Sequence, residues 1–209
     1  MKGSMKKLAV FVVIGTIATF IAAAIASAGD KHWKTLHGEY AITGGSTCLI
    51  APLGFTSSFI PVNGLGVIQT SSREGVFTFE HNGTGSATVL ARVVALPYQG
   101  PSGPVPASAG SQELSFNFTY TVIHDGTITM EVVPGTFISK WVTGPMQGQT
   151  YHIEGVSFDG AVAPDGMSIT LNSGAPEKWT LTPSLIPGVV TEMLCHNSSV
   201  LIWLHKEHP

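Results

Sequence analysis

Positive charge is scarce in this chain, and its few cations are scattered. Ten Lys and Arg stand against 13 Asp and Glu, and three of the ten, Lys2, Lys6 and Lys7, lie at the N-terminus. A nucleic-acid surface needs clustered cations that displace counterions from phosphates. Binding to an anionic membrane surface also depends on basic clusters. The composition therefore excludes nucleic acid as a partner and disfavours attraction to a charged membrane surface.

Cysteine is equally scarce, since only Cys48 and Cys195 are present. They do not form the short local spacing that structural zinc sites use. In an oxidising compartment an isolated pair most simply forms one disulfide. We therefore predict a Cys48–Cys195 disulfide joining regions near the two ends of the mature chain, worth about 4–5 kcal/mol in the chain-entropy model.

Recognisable catalytic motifs are missing: the chain has no Gly-x-Ser-x-Gly, no P-loop and no His-Glu-x-x-His. We predict no catalytic residue, no metal and no cofactor, although a barrel active site can be assembled from distant residues. Two groups of histidines offer an alternative, a metal site. The first is His81 with His124, which lie in equivalent hairpin turns. The second lies near the two ends of the mature chain and consists of His32, His37, His205 and His208. We interpret both groups as solvated side chains.

The chain has one long apolar run, from Leu8 to Ile25, which follows the N-terminal lysines. Ala26-Ser27-Ala28 comes next and matches the small-x-small site of signal peptidase. We predict a cleaved signal peptide over residues 1–28 and export to the periplasm or cell exterior. The mature chain, residues 29–209, then forms a single domain with 13 acidic and seven basic side chains, a net charge of −6. The alternative is a retained membrane anchor, because the uncharged stretch approaches the roughly 20 residues of a spanning helix.

After this segment the chain lacks helical periodicity and alternates with a period of two. One apolar set alternates with polar residues and predicts a strand with one buried face: Leu114, Phe116, Phe118, Tyr120 and Val122. Asp125-Gly126 and Asn82-Gly83 separate such runs and indicate hairpin turns. We predict an antiparallel all-β domain.

The predicted strands are 36–44, 66–71, 75–81, 86–96, 112–123, 127–133, 136–142, 150–159, 167–173 and 199–205. Residues 97–111 are rich in Pro, Gly, Ser and Ala, which predicts a long surface loop. Residues 45–65 are predicted to be a loop that folds over the core.

Hairpin connections favour an up-and-down meander, which exposes two edge strands unless it closes. A disulfide between the first and last strands would hold those edges together. We therefore predict a closed or nearly closed barrel of about 8–10 strands, with a β-sandwich as the alternative.

Gly38-Glu39-Tyr40 on the first predicted strand resembles the Gly-x-Trp start of lipocalins and related calycins, with Tyr in place of Trp. Trp203 lies in the last predicted strand. The resemblance implies a secreted cup that holds a small apolar molecule.

Candidate ligand-binding residues come from charge and aromaticity. Arg92 interrupts the run 86–96, which looks apolar on both faces, so it needs a ligand anion, a route to solvent or an acidic partner. The acids considered are Glu39, Glu80, Glu131 and Glu154. The aromatic candidates for a ligand wall are Phe116, Phe118, Tyr120 and Trp141. In a barrel, an inward aromatic stripe serves as core or as ligand wall.

These observations favour a secreted or periplasmic protein that binds a small apolar or amphipathic ligand. One alternative is a structural or adhesive extracellular subunit, oligomerising through an apolar strand 86–96. The other is a cofactor-free calycin-like isomerase or cyclase.

Overall fold

A computed structural model describes residues 36–100, 103–173, 177–184 and 190–204. The predicted signal peptide lies outside the described residues, and residues 34–209 belong to one compact unit. Thirteen strands follow one another, with a 3-10 turn at Val62–Gly64 after the first: β1 Gly38–Ala51, β2 Val67–Phe79, β3 Thr84–Ala95, β4 Tyr98–Gly100, β5 Gly103–Val105, β6 Ser108–Val122, β7 Thr127–Val132, β8 Ile138–Thr143, β9 Thr150–Glu154, β10 Ser157–Val162, β11 Ser168–Asn172, β12 Glu177–Pro183 and β13 Thr191–Trp203. None of the helices in the described ranges has the length and apolar character needed to span a membrane.

Eight of these strands form a closed ring. Their hydrogen-bonded order is β1-β2-β3-β6-β7-β10-β11-β13, and β13 pairs back onto β1. The closure runs over twelve antiparallel residue pairs, from Tyr40 opposite Trp203 to Ala51 opposite Glu192. The prediction of an antiparallel all-β meander that closes on itself is therefore confirmed, and both a barrel and a sandwich agree with this strand order.

The predicted disulfide is also confirmed, because Cys48 on β1 is bonded to Cys195 on β13. The two cysteines are directly opposite one another in the β1–β13 register. The bond therefore crosses the seam at which the first and last strands meet.

One side of the ring consists of two stacked sets of short strands. The first half of β6 pairs with β8 and its second half with β7, on the same edge. In the same way β13 pairs first with β12 and then with β11. We call β7, β10 and β11 the upper half-wall, and β8, β9 and β12 the lower half-wall. The long strands β1, β2, β3, β6 and β13 run past both.

The upper half of the interior is filled by aromatic and aliphatic side chains. Phe118 is fully buried, and its ring lies 5.2 Å from that of Phe79 and 5.6 Å from that of Phe77, between ring centroids. A Cβ on Gly85 would approach the Phe118 ring to 2.3 Å, so glycine makes room for the ring on β3. Aliphatic side chains complete this core: Ile128, Met130, Ile169, Leu171 and Leu201.

Several predicted boundaries were wrong. The predicted strands 66–71 and 75–81 are one strand, β2, because the polar residues between them continue its alternation. The predicted strand 150–159 breaks at Gly155, where φ is +78°, into β9 and β10.

The predicted loop 97–111 is largely strand, the predicted loop 45–65 begins with strand up to residue 51, and two strands were missed or shortened. Residues 97–111 contain the β4–β5 hairpin and the start of β6, and residues 45–51 extend β1. Their small side chains read as loop, yet their backbones pair with neighbouring strands. Proline and glycine near both ends concealed β12, and β13 begins well before residue 199.

Candidate functional site

Arg92 lies on the outer face of the ring. Strand β3 buries Ala87, Val89, Ala91 and Val93, whereas its other face is largely exposed and mixes apolar with polar side chains, so the strand is apolar on its inner face only. Arg92 has the outward phase, and its Nη2 lies 2.6 Å from Oε1 of Glu74, on β2. Both side chains are more than half exposed.

The predicted acidic partners of Arg92 were therefore wrong, because the ion pair is made with Glu74, the diagonal neighbour on β2, whose direct register partner is Leu90. The hydrogen bond to Arg92 lowers the pKa of Glu74, and the same bond raises that of Arg92. Arg92 also lines an open groove of about 750 Å³ on β2, β3, β6 and β8. This position leaves the guanidinium in contact with solvent and outside the ring.

The predicted aromatic residues separate into a packed group and one peripheral residue. Phe116, Phe118 and Tyr120 are buried on one face of β6, and the centroid of Phe116 lies 4.7 Å from that of Phe137. Trp141 on β8 is half-buried and lies close to Gly110, where an added Cβ would approach its ring to 2.8 Å. The packed group belongs to the filled half of the ring.

Tyr120 has a structural partner at the upper end. Its hydroxyl lies 2.7 Å from the carbonyl oxygen of Leu36 and 2.8 Å from that of Glu80, and can donate to either. Burial raises the pKa of Tyr120 to about 12, with smaller contributions from Tyr40 and Glu80. The neutral phenol therefore fixes the segment before β1 against the end of β2.

A partly open cavity of about 40 Å³ lies in the lower half of the ring. Its lining mixes polar and apolar side chains from seven strands and from the segment before β8: Ser46, Cys48, Gln69, Ser71, Arg73, Ala91, Val93, Gln112, Leu114, Phe137, Ile153, Trp179 and Met193. Polar groups inside a protein are stable only when they are hydrogen-bonded or hydrated. The polar part of this lining is therefore the feature that most needs an explanation.

Arg73 is the charged residue of the cavity. It has the inward phase of β2, two and four residues before Gly75 and Phe77, and its Nη2 donates to Ser46 Oγ at 2.9 Å. Its Nε is buried and has no hydrogen-bond partner, and no carboxylate lies within ion-pair distance among the described side chains, which do not include that of Glu177. Burial lowers the pKa of Arg73 to about 10. The guanidinium is still charged at neutral pH, because that value is well above 7.

A row of small polar side chains continues from Arg73 across neighbouring strands. Ser46 on β1 is opposite Ser71 on β2, and their hydroxyl oxygens are 2.8 Å apart. Ser46 is also opposite Asn197 on β13, which is 1% exposed. The Asn197 backbone N–H donates to Ser173 Oγ at 2.9 Å, but neither its Oδ1 nor its Nδ2 has a partner. Unpaired donors on both Arg73 and Asn197 therefore lie within the buried part of the ring.

The histidines do not converge in the way the metal alternative required. His81 stacks on His37 with ring centroids 4.3 Å apart, while His124 lies in the β6–β7 turn. His32, His205 and His208 lie outside the described residues. Across the described part of the chain, no three His, Cys, Asp or Glu side chains are arranged to hold a metal ion.

The Gly38-Glu39-Tyr40 segment opens β1 at the upper end of the ring. Tyr40 is buried, and its hydroxyl donates to the Gly166 carbonyl at 2.8 Å. Trp203 is opposite Tyr40 on β13, and its Nε1 lies 3.0 Å from the position of a Cβ on Gly38. Gly38 has a φ of +94°, which favours glycine. The Gly38-Glu39-Tyr40 segment and Trp203, which carry the sequence resemblance, are thus neighbours in the fold.

No protein-family model matches the chain, and comparison with curated proteins gives no significant match. The candidate site therefore depends on geometry alone. Sequence reasoning missed Arg73 because Ser71-Ser72-Arg73-Glu74-Gly75 resembles a turn. The alternation of the strand could have revealed it, because Arg73 is an even number of residues before the buried Phe77 and Phe79 and therefore faces inward, as do Gln69, Ser71 and Gly75.

Proposed function

We propose that this chain is an exported protein that binds a small apolar or amphipathic ligand inside its closed ring. The observation that supports it is the partly open cavity, in which the unpartnered Nε of Arg73 adjoins apolar walls. Binding sites combine apolar walls with a few placed polar groups, and this lining has that composition. At about 40 Å³ the cavity holds only part of such a ligand, so its walls must move to admit the rest. The N-terminal pattern and the Cys48–Cys195 bond support an exported location.

The alternative of a structural subunit depended on an apolar outer face of strand 86–96. That face carries Leu90 and Val94, but Ser86, Thr88 and the Arg92 ion pair interrupt them, so it has no continuous apolar surface. The isomerase or cyclase alternative needs a reacting group in the cavity, and no described carboxylate lines it. Ligand binding is therefore the function that the site supports best.

Native mass spectrometry of the mature protein, purified from its own host without detergent, tests the proposal. We expect a reproducible adduct of a few hundred daltons that is released on denaturation. Ala91→Leu should reduce the adduct, because Ala91 lines the cavity and is 2% exposed. Thr88→Leu on the outward phase of the same strand is the matched control. A bare protein mass in repeated preparations, with no retained small molecule, would refute the proposal.

A further inference from the structure

We infer that the cavity is an anion site in which Arg73 binds the carboxylate of an organic acid. The inference rests on the proposed function and specifies its ligand. Its first support is the state of the guanidinium. A buried cation without an anion is strongly unfavourable, and buried charges are normally paired. Arg73 has one described hydrogen bond, to a neutral hydroxyl, and its Nε has none.

The neighbours of Arg73 leave space beside the guanidinium. In the sheet register Arg73 is opposite Gly44 on β1 and Ala91 on β3. Both are small, so the long side chain can lie along the inner surface of the ring. The planar guanidinium offers its donors in a fork that matches the two oxygens of a carboxylate. The unpaired Nε–H is one of the donors that such an anion would use.

Other polar groups lie near the same space. Asn197 does not line the cavity, but its Nδ2 and Oδ1 are buried and unpartnered, and it is opposite Ser46, the residue that Arg73 contacts. The cavity lining supplies further hydroxyl and amide groups from Ser71 and Gln112. A site that is rich in donors and contains one cation favours an oxyanion over a neutral or cationic head.

The size of the cavity agrees with a carboxylate head alone, so an apolar tail requires the adjoining walls to move apart. A buried water needs about 10–15 Å³ of such space, so about 40 Å³ holds about three water-sized groups. A carboxylate carbon with its two oxygens is of this size. Trp179, Met193 and Ile153 form an apolar wall beside it. Methionine adapts its shape readily, which suits accommodation of an apolar tail.

The test compares octanoate with 1-octanol, which has the same chain length and no charge. Binding to the mature protein is measured by titration calorimetry and by the shift in Tm. We expect octanoate to bind and to raise Tm, and octanol to bind more weakly. Arg73→Met should weaken octanoate binding at least about tenfold, because it removes a buried charged hydrogen-bonding partner. Arg92→Met, on the outer face, should leave octanoate binding unchanged.

A stability measurement separates anchoring from folding. Because Arg73→Met removes a half-buried charge for which no described side chain supplies an anion, we expect the Tm of the ligand-free variant to equal or exceed that of the wild type. Glu177 is two residues before the buried Trp179 on β12, and its backbone is paired with Cys195. If Arg73→Met and Glu177→Gln both lower Tm and neither changes octanoate binding, the chain neutralises its own guanidinium and the inference is wrong.

The two proposals fail differently. Equal binding of octanoate and octanol, insensitive to Arg73→Met, would overturn the anion site while supporting a ligand-binding interior. A native adduct that is neutral, with no octanoate binding, would have the same meaning. Absence of any adduct and of binding by either probe would overturn both proposals.

Discussion

Removing the disulfide should lower the stability of the ring by several kilocalories per mole. The bonded cysteines are 147 residues apart. For a loop of this length the chain-entropy model gives about 5 kcal/mol at 25 °C, as the free energy gained by restricting the unfolded chain. For a domain of this size that corresponds to a decrease in Tm of about 10–20 °C. The value is an upper estimate, because real unfolded chains are more compact than the model assumes.

The assay is urea unfolding of the Cys48→Ala/Cys195→Ala double variant and of the oxidised wild type. The variant should have a lower midpoint and a larger m value, because its unfolded chain exposes more surface. Wild-type protein treated with a reductant is the control, and it should resemble the double variant. The native ring should persist, because twelve residue pairs hold β1 to β13 without the bond.

A loss of less than about 1 kcal/mol would refute this reasoning, since it would mean that the unfolded chain remains closed without the bond. Complete unfolding of the reduced protein at 25 °C would show instead that strand pairing contributes less to ring closure than we infer.

Three further predictions concern individual side chains. Tyr120→Phe should lower the unfolding free energy by about 1–3 kcal/mol, because it leaves the Leu36 carbonyl without this buried donor. The pKa of Tyr120 is raised to about 12 in the folded state, so the contribution of its hydroxyl to the unfolding free energy should be complete below pH 10 and lost as pH rises towards 12. Denaturant titration of the wild type at each pH, with Tyr120→Phe as reference, checks this. Gly160→Ala should destabilise the pairing of β10 with β11, because the added Cβ would approach the Thr170 carbonyl oxygen to 1.8 Å. We expect a lower Tm, and an unchanged Tm would contradict that geometry. Arg92→Met should leave Tm nearly unchanged in 1 M salt, since exposed ion pairs are screened, and a large loss there would contradict its outward position.

The meander and its closure could be predicted because local chemistry determines them. Gly83 and Gly126 adopt φ values of +80° and +88° in the two turns predicted from Asn-Gly and Asp-Gly. In these turns the Asn82 and Asp125 side chains accept hydrogen bonds from the backbone N–H two residues later. Period-two alternation then assigned β6 and β7 to the correct phase. These signals are contained within a few residues of sequence.

The cavity could not be predicted by the same reasoning. Arg73 and Asn197 are polar, and alternation rules assign polar residues to the outer face. Their inward position follows only from their even spacing from the buried Phe77 on β2 and Leu201 on β13. Closure of the ring then places β2 and β13 on either side of β1, which brings the two polar residues near each other. Arg92, by contrast, was predicted as a ligand-binding residue because its sequence neighbours are apolar, yet it lies on the outer face.

The lower half-wall, made of the short strands β8, β9 and β12, can open without unfolding of the remaining strands. The lower half-wall is attached to β6 and β13 by five residue pairs on each side. It contributes Ile153 and Trp179 to the cavity, whereas the aromatic interior is covered by the upper half-wall. Local opening of a small cooperative unit requires less free energy than global unfolding. Amide hydrogens of β8, β9 and β12 should therefore exchange together and faster than those of the long strands. The same local opening widens the entrance to a cavity of about 40 Å³ for a larger molecule from solution.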